Sequence, residues 1–460
     1  MIRIPQAEGK TYGVVGLGKS GRAVVASLLA SDAKVIAWDD GENSRAAAVK
    51  EFPGITLAPV TEWNYTTLAA LIMSPGIFLN HPAVVAAQRH HIEVIGDVEL
   101  LYRAQPKAHY ICITGTNGKS TTTTLIAHVL KACGKTVEVG GNLGIPALAL
   151  APLDANGIYV LELSSYQLDL VRTTHFQTAL LLNISPDHLD HHGSMENYIE
   201  AKRHIFDRMG KKDVAIVGID DATSEIICRS MLDAKEQRVI PISVTQTTGN
   251  GVYVKRGILT NKLDGLEADI SSITSLRGEH NWQNAAAAYT ACLVNGCAHA
   301  DIIRAMQTYP GLAHRMEWLG SVGGIQYVND SKATNADAAE KALQTYDDIY
   351  WIIGGVAKEG GIEPLAKYFS KIRHAYTIGE AAQDFENTLD GHVPTTHCGT
   401  LDKAFAAATQ DALKEKKANA AVLLSPACAS FDQFPNFEVR GQAFVKLFEA
   451  LKGGTHAATA

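Results

Sequence analysis

Three times along this chain a run of consecutive apolar residues ends in a glycine-bearing turn, and an amphipathic stretch follows. The three runs are TYGVVGLGKSG, YICITGTNGKS and YWIIGGVAKEGG. An apolar strand entering a helix through a glycine turn is the repeating unit of a parallel sheet covered on both faces. Each run therefore anchors a sheet of its own. In the first, AKVIAWDD, ALIMSPG and IEVIGD continue as short strands. GDVELLYRAQPKAHY then reads as helix, proline-bearing connection and new strand, which places a boundary near residue 97. The Pro-Gly break in TYPGLAHRMEW places another near 311, and NAAVLLSPACASFDQF is again strand into loop. Strands between Ile219 and Leu276 are less regular and are expected outside the central sheet. No short sequence repeat is present.

The glycine turns differ in what they can hold. Gly16-Leu17-Gly18-Lys19-Ser20-Gly21 is a complete G-x-G-x-x-G between strand and helix, with Asp39 at the end of the next strand. That pattern fits a dinucleotide such as NAD. It fits equally a turn that merely needs glycine, or the diphosphate of a UDP-sugar on a helix amino terminus. Ser74-Pro75-Gly76, after another strand, adds to the same edge.

The second turn is more specific. Gly115-Thr116-Asn117-Gly118-Lys119-Ser120 precedes Thr121 and a helix, although Ile113 stands where a P-loop has its leading glycine. Backbone N–H groups there wrap phosphates, Lys119 neutralises charge, and the hydroxyl of Ser120 or Thr121 reaches Mg2+. ATP is the expected ligand. Glu162, in YVLELSSYQLD, is a charge inside an apolar run, so it is either partnered or an edge-strand acid facing water. NISPDHLDHHGS gathers Asp187, His188, Asp190, His191 and His192 after a strand, a density that suits metal or acid–base work. His191 and His192 read equally well as solvated loop residues. Ser194 caps the following helix and places Lys202 about two turns in. A lone helical lysine is more often exposed than functional.

Composition narrows the setting. A length of 460 residues suits about three domains, and 46% hydrophobic with 19% charged residues is globular. A formal charge of −7 excludes a nucleic-acid binder that relies on bulk positive charge. No apolar run is long enough to span a membrane, and the amino terminus lacks the pattern of a secretory leader. Seven scattered cysteines without a C-x-x-C pair favour a reducing compartment, so a cytoplasmic location is expected.

ITGTNGKSTTT, GGNLG, LELSSYQL, NISPDHLD, AKRHIF, GEHNWQN, HRME, NDSKATN and SPACASFDQF, taken in order along the chain, resemble the Mur ligase family. The fold this implies is α/β in three domains. Residues 1–97 form a Rossmann-like UDP-sugar-binding domain, 98–311 a central P-loop-type ATP-binding domain with a parallel sheet, and 312–460 a Rossmann-like amino-acid-binding domain. The activity implied is an ATP-dependent amide-bond ligase. NDSKATN followed by SPACASFDQFPNFEVRG is similar to members that add D-glutamate to UDP-N-acetylmuramoyl-L-alanine. The D-N-P-R signature of the diaminopimelate-adding members is absent, and Ser120 departs from the G-T-N-G-K-G of folate polyglutamate ligases.

By matching motif positions, the resemblance assigns Gly115, Thr116, Asn117, Gly118, Lys119, Ser120 and Thr121 to the ATP phosphates. Asn281 and Asn284 match adenine contacts, and Arg315 and Asp330 match groups around the ATP. Two Mg2+ ions are implied: Ser120 matches a Mg2+ ligand, Glu162 a ligand of the first ion and His188 of the second. Lys202 matches a lysine that carries CO2 as a carbamate and bridges to the second ion. Lys119, His188 and Lys202 form the implied catalytic set. Gly18, Asp39, Ser74 and Asn142 match UDP-sugar contacts. Lys332, Thr334, Lys358, Ser430 and Phe437 match the D-glutamate end. The family's Thr-Arg after the first-domain acid is replaced here by Asp40-Gly41, so diphosphate contacts are expected to differ there. UDP-N-acetylmuramoyl-L-alanine and D-glutamate are the expected partners, with no nucleic acid and no membrane; a monomer is expected.

Overall fold

The computed structural model describes residues 1–357 and 360–457. The chain forms two compact units, Met1–Ser272 with Glu279–Tyr309, and Ile273–Gly278 with Pro310–Ala460.

The first unit holds two sheets. Strands β1 (Thr11–Val15), β2 (Lys34–Trp38), β3 (Thr56–Leu57), β4 (Leu68–Met73) and β5 (Val94–Ile95) form a sheet in the order β3-β2-β1-β4-β5. All its pairs are parallel. Strand order reverses between β1 and β4, and such a switch point opens a crevice at the carboxyl ends of the strands. Gly16 follows β1 and Ser74 follows β4, so both stand at that crevice.

The second sheet comprises β6 (His109–Thr114), β7 (Val137–Gly141), β8 (Ile158–Glu162), β9 (Thr178–Leu181), β10 (Val214–Gly218), β11 (Arg238–Ser243), β12 (Val252–Lys255), β13 (Ile258–Asn261) and β14 (Leu266–Asp269). Its order is β14-β13-β12-β11-β10-β9-β6-β8-β7. The strands after Ile219, expected outside the central sheet, instead extend it. β10, β11 and β12 continue the parallel pairing, and β13 and β14 fold back antiparallel. The two-residue turn between β12 and β13 is Arg256-Gly257, both at positive φ (52° and 78°), the hairpin geometry that matches strand twist. The helix Lys119–Ala132 packs against Glu279–Val294, whose buried run Ala285–Ala288 lets the two backbones approach closely.

Where the two sheets of the first unit meet, a buried carboxylate is fully employed. Glu99 accepts from the Arg172, Thr173 and Thr174 backbone N–H groups and from the hydroxyls of Thr173 and Thr174, and pairs with Arg103 at 2.8 Å. Burial alone raises the pKa of this group, but the hydrogen bonds outweigh it and bring Glu99 down to about 2 from an ordinary 4.5. The unfolded chain therefore takes up the proton first. The stabilisation is complete above about pH 4.5 and fades as the pH falls towards 2, and is worth about 3 kcal/mol. Glu99→Gln should unfold at distinctly lower urea than wild type at pH 7, with the gap closing as the pH is lowered. An equal gap at pH 7 and pH 2.5 would refute this origin of the stability.

The second unit carries β15 (Glu317–Val322), β16 (Ile325–Asn329), β17 (Ile349–Gly354), β18 (Ile372–Ile378), β19 (Thr395–Gly399) and β20 (Ala421–Leu424). The order is β15-β16-β20-β17-β18-β19, parallel except for the β15–β16 hairpin. Asp330 and Ser425 follow the neighbouring strands β16 and β20. Lys358, expected at the glutamate end, lies outside the described residues.

Candidate active site

At the carboxyl end of β6 the chain turns through Gly115 (φ 148°) and Gly118 (φ 83°) into the helix Lys119–Ala132. Gly118 is the helix N-cap and offers no side chain to satisfy the first turn. The exposed N–H groups and the positive end of the helix suit a phosphate. The loop is held from β9's side. Thr116 N donates to Asn183 O at 2.9 Å and Asn117 N to Asn183 Oδ1 at 2.8 Å. Asn183 Nδ2 in turn donates to Gln283 Oε1 at 3.0 Å, and Gln283 Nε2 to Asp220 Oδ2 at 2.7 Å. Asn284 Oδ1 accepts from Thr122 Oγ1 at 3.2 Å, and its amide donates to Asn281 Oδ1 at 3.2 Å. The two asparagines thus stand together beside the loop.

Two lysines converge on one carbonyl. Lys119 Nζ and Lys202 Nζ each donate to Gly115 O at 2.9 Å. Ser194 caps the helix Met195–Arg203, accepting from Asn197 N at 3.2 Å, and directs Lys202 inward rather than to solvent. Lys202 is only 2% exposed and lies 4.6 Å over the Tyr198 ring. Burial, reinforced by the Lys119 ammonium and opposed by Asp187, brings its amine down to about 7. Tyr198 also meets Thr116, oxygen to oxygen, at 3.0 Å.

Glu162 is not an edge-strand acid. β8 runs between β6 and β7, pairing Glu162 with Ile113 and with Gly141, and the residue is 3% exposed. Its Oε1 accepts from Asn142 Nδ2 at 2.8 Å, whereas Oε2 has no hydrogen-bond partner among the described residues. Beyond β9, His188 sits at φ 52° with its ring half-exposed, 3.4 Å from Asp187. His191 and His192 are not solvated loop residues. His192 is buried, with Nε2 2.9 Å from Ser165 Oγ, and burial, with the neighbouring His191 and Lys202, lowers it to about 4, so it is neutral. His191 lies between the rings of Tyr166 and Phe78.

In the first-sheet crevice, Ser74 Oγ donates to Gly16 O at 2.8 Å, closing the turn that leads to Gly18, the N-cap of the next helix. Asp39 accepts from Leu17 N at 2.6 Å and Gly41 N at 2.8 Å. Motif matching missed Arg45. It donates to Asp39 O at 2.7 Å and Asp40 O at 2.9 Å, stacks 4.5 Å over Trp38, and brings an arginine to the turn that lacks Thr-Arg.

In the second unit Asp330 is buried, accepting from Ser425 Oγ at 2.8 Å and Met316 N at 3.0 Å; burial pushes it up to about 7. Arg315 adjoins Met316 in a turn with positive φ at His314 and Met316. Lys332 Nζ lies 4.5 Å over the Phe437 ring, and Ser331 Oγ donates to Phe437 O at 2.9 Å. Thr334 N turns back onto Lys332 O at 2.8 Å, and Ser430 is buried with its carbonyl accepting from Phe434 N. Beneath them the buried Arg440 donates to Ser331, Cys428 and Ala429. A charged side chain tying together the Ser331 loop and the Ser430 loop was not singled out from the sequence.

Comparison with known proteins decides the family. The description "Mur ligase MurD-like, N-terminal domain" matches residues 10–96, "Mur ligase middle domain" matches 113–292, and "Mur ligase, glutamate ligase domain" matches 314–428. The chain belongs to the Mur ligase family. This Mur ligase is 49% identical over 458 residues to the UDP-N-acetylmuramoylalanine–D-glutamate ligase of Paramagnetospirillum magneticum, with 99% of each chain covered. It is 47% identical to the ligase of the same name from a Caulobacter species, covering 96% of this chain and 97% of that one. Among solved structures, MurF from Acinetobacter baumannii aligns with a TM-score of 0.59 at 16% identity, covering 97% of this chain and 93% of that one. UDP-N-acetylmuramate–alanine ligase MurC from Thermotoga maritima aligns with a TM-score of 0.57 at 18% identity, covering 96% and 99%. Both likenesses are of fold.

Mur ligases form amide bonds with ATP and Mg2+. Among the described residues no three His, Cys, Asp or Glu side chains are grouped to hold a metal, so the fit to a cation rests on Glu162. Glu162 Oε2 is a buried carboxyl oxygen with no hydrogen-bond partner among the described residues, and a divalent ion would complete it. Lys202 is a buried amine close to neutrality beside a second ammonium, a site where a negatively charged adduct is electrostatically favoured. No helix among the described residues is long and apolar enough to cross a membrane.

Proposed function

We propose that this Mur ligase joins D-glutamate to UDP-N-acetylmuramoyl-L-alanine in the cytoplasm, as a monomer, with ADP and phosphate as the other products. The observation that carries the reading is similarity over nearly the whole chain to ligases bearing that name. The convergence of Lys119 and Lys202 on Gly115 O supports it.

An oxygen of the alanyl carboxylate attacks the γ-phosphorus and ADP leaves. The D-glutamate amine then attacks the carbonyl of the acyl phosphate, phosphate leaves with that oxygen, and the amine gives up its proton. A carboxylate is a poor electrophile and phosphate is a good leaving group, so the protein's work is positioning and charge neutralisation. Residues Gly115 to Thr121 cradle the phosphates with Lys119, Asn281 and Asn284 take the adenine, and Arg315 and Asp330 are assigned to groups of the ATP. Ser120, Glu162, His188 and a carbamate on Lys202 would hold two Mg2+ ions, which would supply charge neutralisation at the transferring phosphoryl group. Gly18, Asp39, Ser74 and Asn142 hold the UDP-sugar. Lys332, Thr334, Lys358, Ser430 and Phe437 hold the two carboxylates of glutamate.

Substrate labelled with 18O in its carboxylate should transfer one labelled oxygen into the released phosphate; unlabelled phosphate would contradict the acyl-phosphate route. The first crevice should bind UDP and not NAD. In titrations of the full chain, UDP-N-acetylmuramoyl-L-alanine should bind and NADH should fail to compete; tight competition by NADH would overturn that assignment.

A further inference from the structure

The segment from Ser74 to His81 is fixed at both ends and carries an aromatic ring in between. At one end Ser74 Oγ donates to Gly16 O at 2.8 Å, fastening the segment to the glycine turn of the first crevice. At the other, His81 Nδ1 accepts from Ala83 N at 3.2 Å and caps the helix Pro82–Arg89. Phe78 is 47% exposed, yet its ring stacks on His191 with centroids 4.6 Å apart and planes at 24°. His191 contacts Tyr166 at 4.1 Å, and Tyr166 contacts His188 at 5.1 Å. Tyr166 lies in the short helix Ser165–Leu168, which starts three residues beyond the metal-facing Glu162. Four rings therefore run from the crevice of the first sheet to the turn that presents His188 beside the second.

His188 itself is weakly held. Its ring is half-exposed, its backbone is left-handed at φ 52°, and its one ion-pair contact among the described residues is with the adjacent Asp187. A metal-presenting side chain needs its rotamer fixed by its surroundings. Here the fixing surface is the Tyr166–His191 pair, and Phe78 covers the outer face of His191.

We infer that Phe78 is a positioning residue: its ring clamps the histidine turn, so that filling the first-sheet crevice strengthens cation binding at the second. The inference rests on the proposed UDP-sugar site for its ligand. Binding at one site changes affinity at another only through an element whose arrangement both sites bias, and the change is reciprocal. The Ser74–His81 segment is that element.

The test is Mn2+ binding to the full chain, followed by electron paramagnetic resonance with and without a fixed concentration of UDP-N-acetylmuramoyl-L-alanine. Chelation by the diphosphate is then the same in every variant and cancels. Wild type should bind Mn2+ about 5-fold tighter or more with the UDP-sugar present. Phe78→Ala should bring that ratio below about twofold while UDP-sugar affinity stays within about twofold of wild type. Phe78→Tyr should restore the ratio, and Phe78→Leu should not, which separates ring stacking from apolar bulk. Phe78 is nearly half-exposed, so its removal should leave the melting temperature close to that of wild type. A ratio unchanged in Phe78→Ala, restored by leucine, or absent from wild type that binds the UDP-sugar overturns the inference alone. Wild type that fails to bind the UDP-sugar overturns the proposed function, and the inference with it.

Discussion

Lys202→Ala is expected to lose about 10³-fold in turnover, the scale of removing one preorganised charge from a reacting centre. The side chain is almost fully buried, donates to Gly115 O, and shares that carbonyl with Lys119. Burial penalises an ammonium there, and the Lys119 cation on the same oxygen adds to it, which is why the amine is lowered to about 7. Carbamylation needs a neutral amine, and this site supplies one without a dedicated base. The alanine variant would leave a void beside Tyr198, and acetate or formate at millimolar concentration should enter it and recover part of the activity. Lys202→Arg keeps the cation, fills the void and cannot become an anion, so it should be inactive and not rescued. Full activity of either variant without added carboxylate would return Lys202 to a structural role.

Gly118→Ala should raise the ATP KM about 100-fold or more while leaving the D-glutamate KM within about twofold. Two penalties combine. Gly118 has φ 83°, a left-handed conformation that costs an L-residue about 1–2 kcal/mol. A Cβ there would stand 2.2 Å from Asn284 Oδ1, the atom that accepts from Thr122. The clash would turn the N-cap away from the phosphates and displace an asparagine proposed to contact adenine. Nucleotide affinity measured by calorimetry and the two KM values decide the matter. Equal losses for ATP and D-glutamate would mean general unfolding rather than a distorted nucleotide loop.

What the sequence made legible was local. The apolar runs before Gly16, Gly115 and Gly354 gave three strands because a buried parallel strand and its glycine turn lie within a dozen residues. The charge of Glu162 stood out for the same reason, and between β6 and β7 Asn142 partners one of its oxygens while the other has no partner among the described residues. The rest depended on distance along the chain. Asn183 and Gln283 hold the phosphate loop from 100 residues apart, and neither carries a local signal. From the sequence His192 stays open between a site residue and a solvated loop residue, and its contacts with Ser165 and Tyr198 show that it is covered. Arg45 lies one helical turn beyond the position where the family pattern places an arginine, so matching by position passed over it. β11 to β14 looked irregular because their alternation is interrupted by the turns at Gly257 and Gly265, though the ladder itself is continuous.

The central claim is tested most directly by phosphate release from ATP and Mg2+ with UDP-N-acetylmuramoyl-L-alanine, assayed against a panel of D- and L-amino acids. Release is expected with D-glutamate, at least 100-fold faster than with L-glutamate, L-lysine or diaminopimelate, and none when the UDP-sugar is omitted. Turnover with L-glutamate equal to or above that with D-glutamate, or with UDP-N-acetylmuramate lacking alanine, would contradict it.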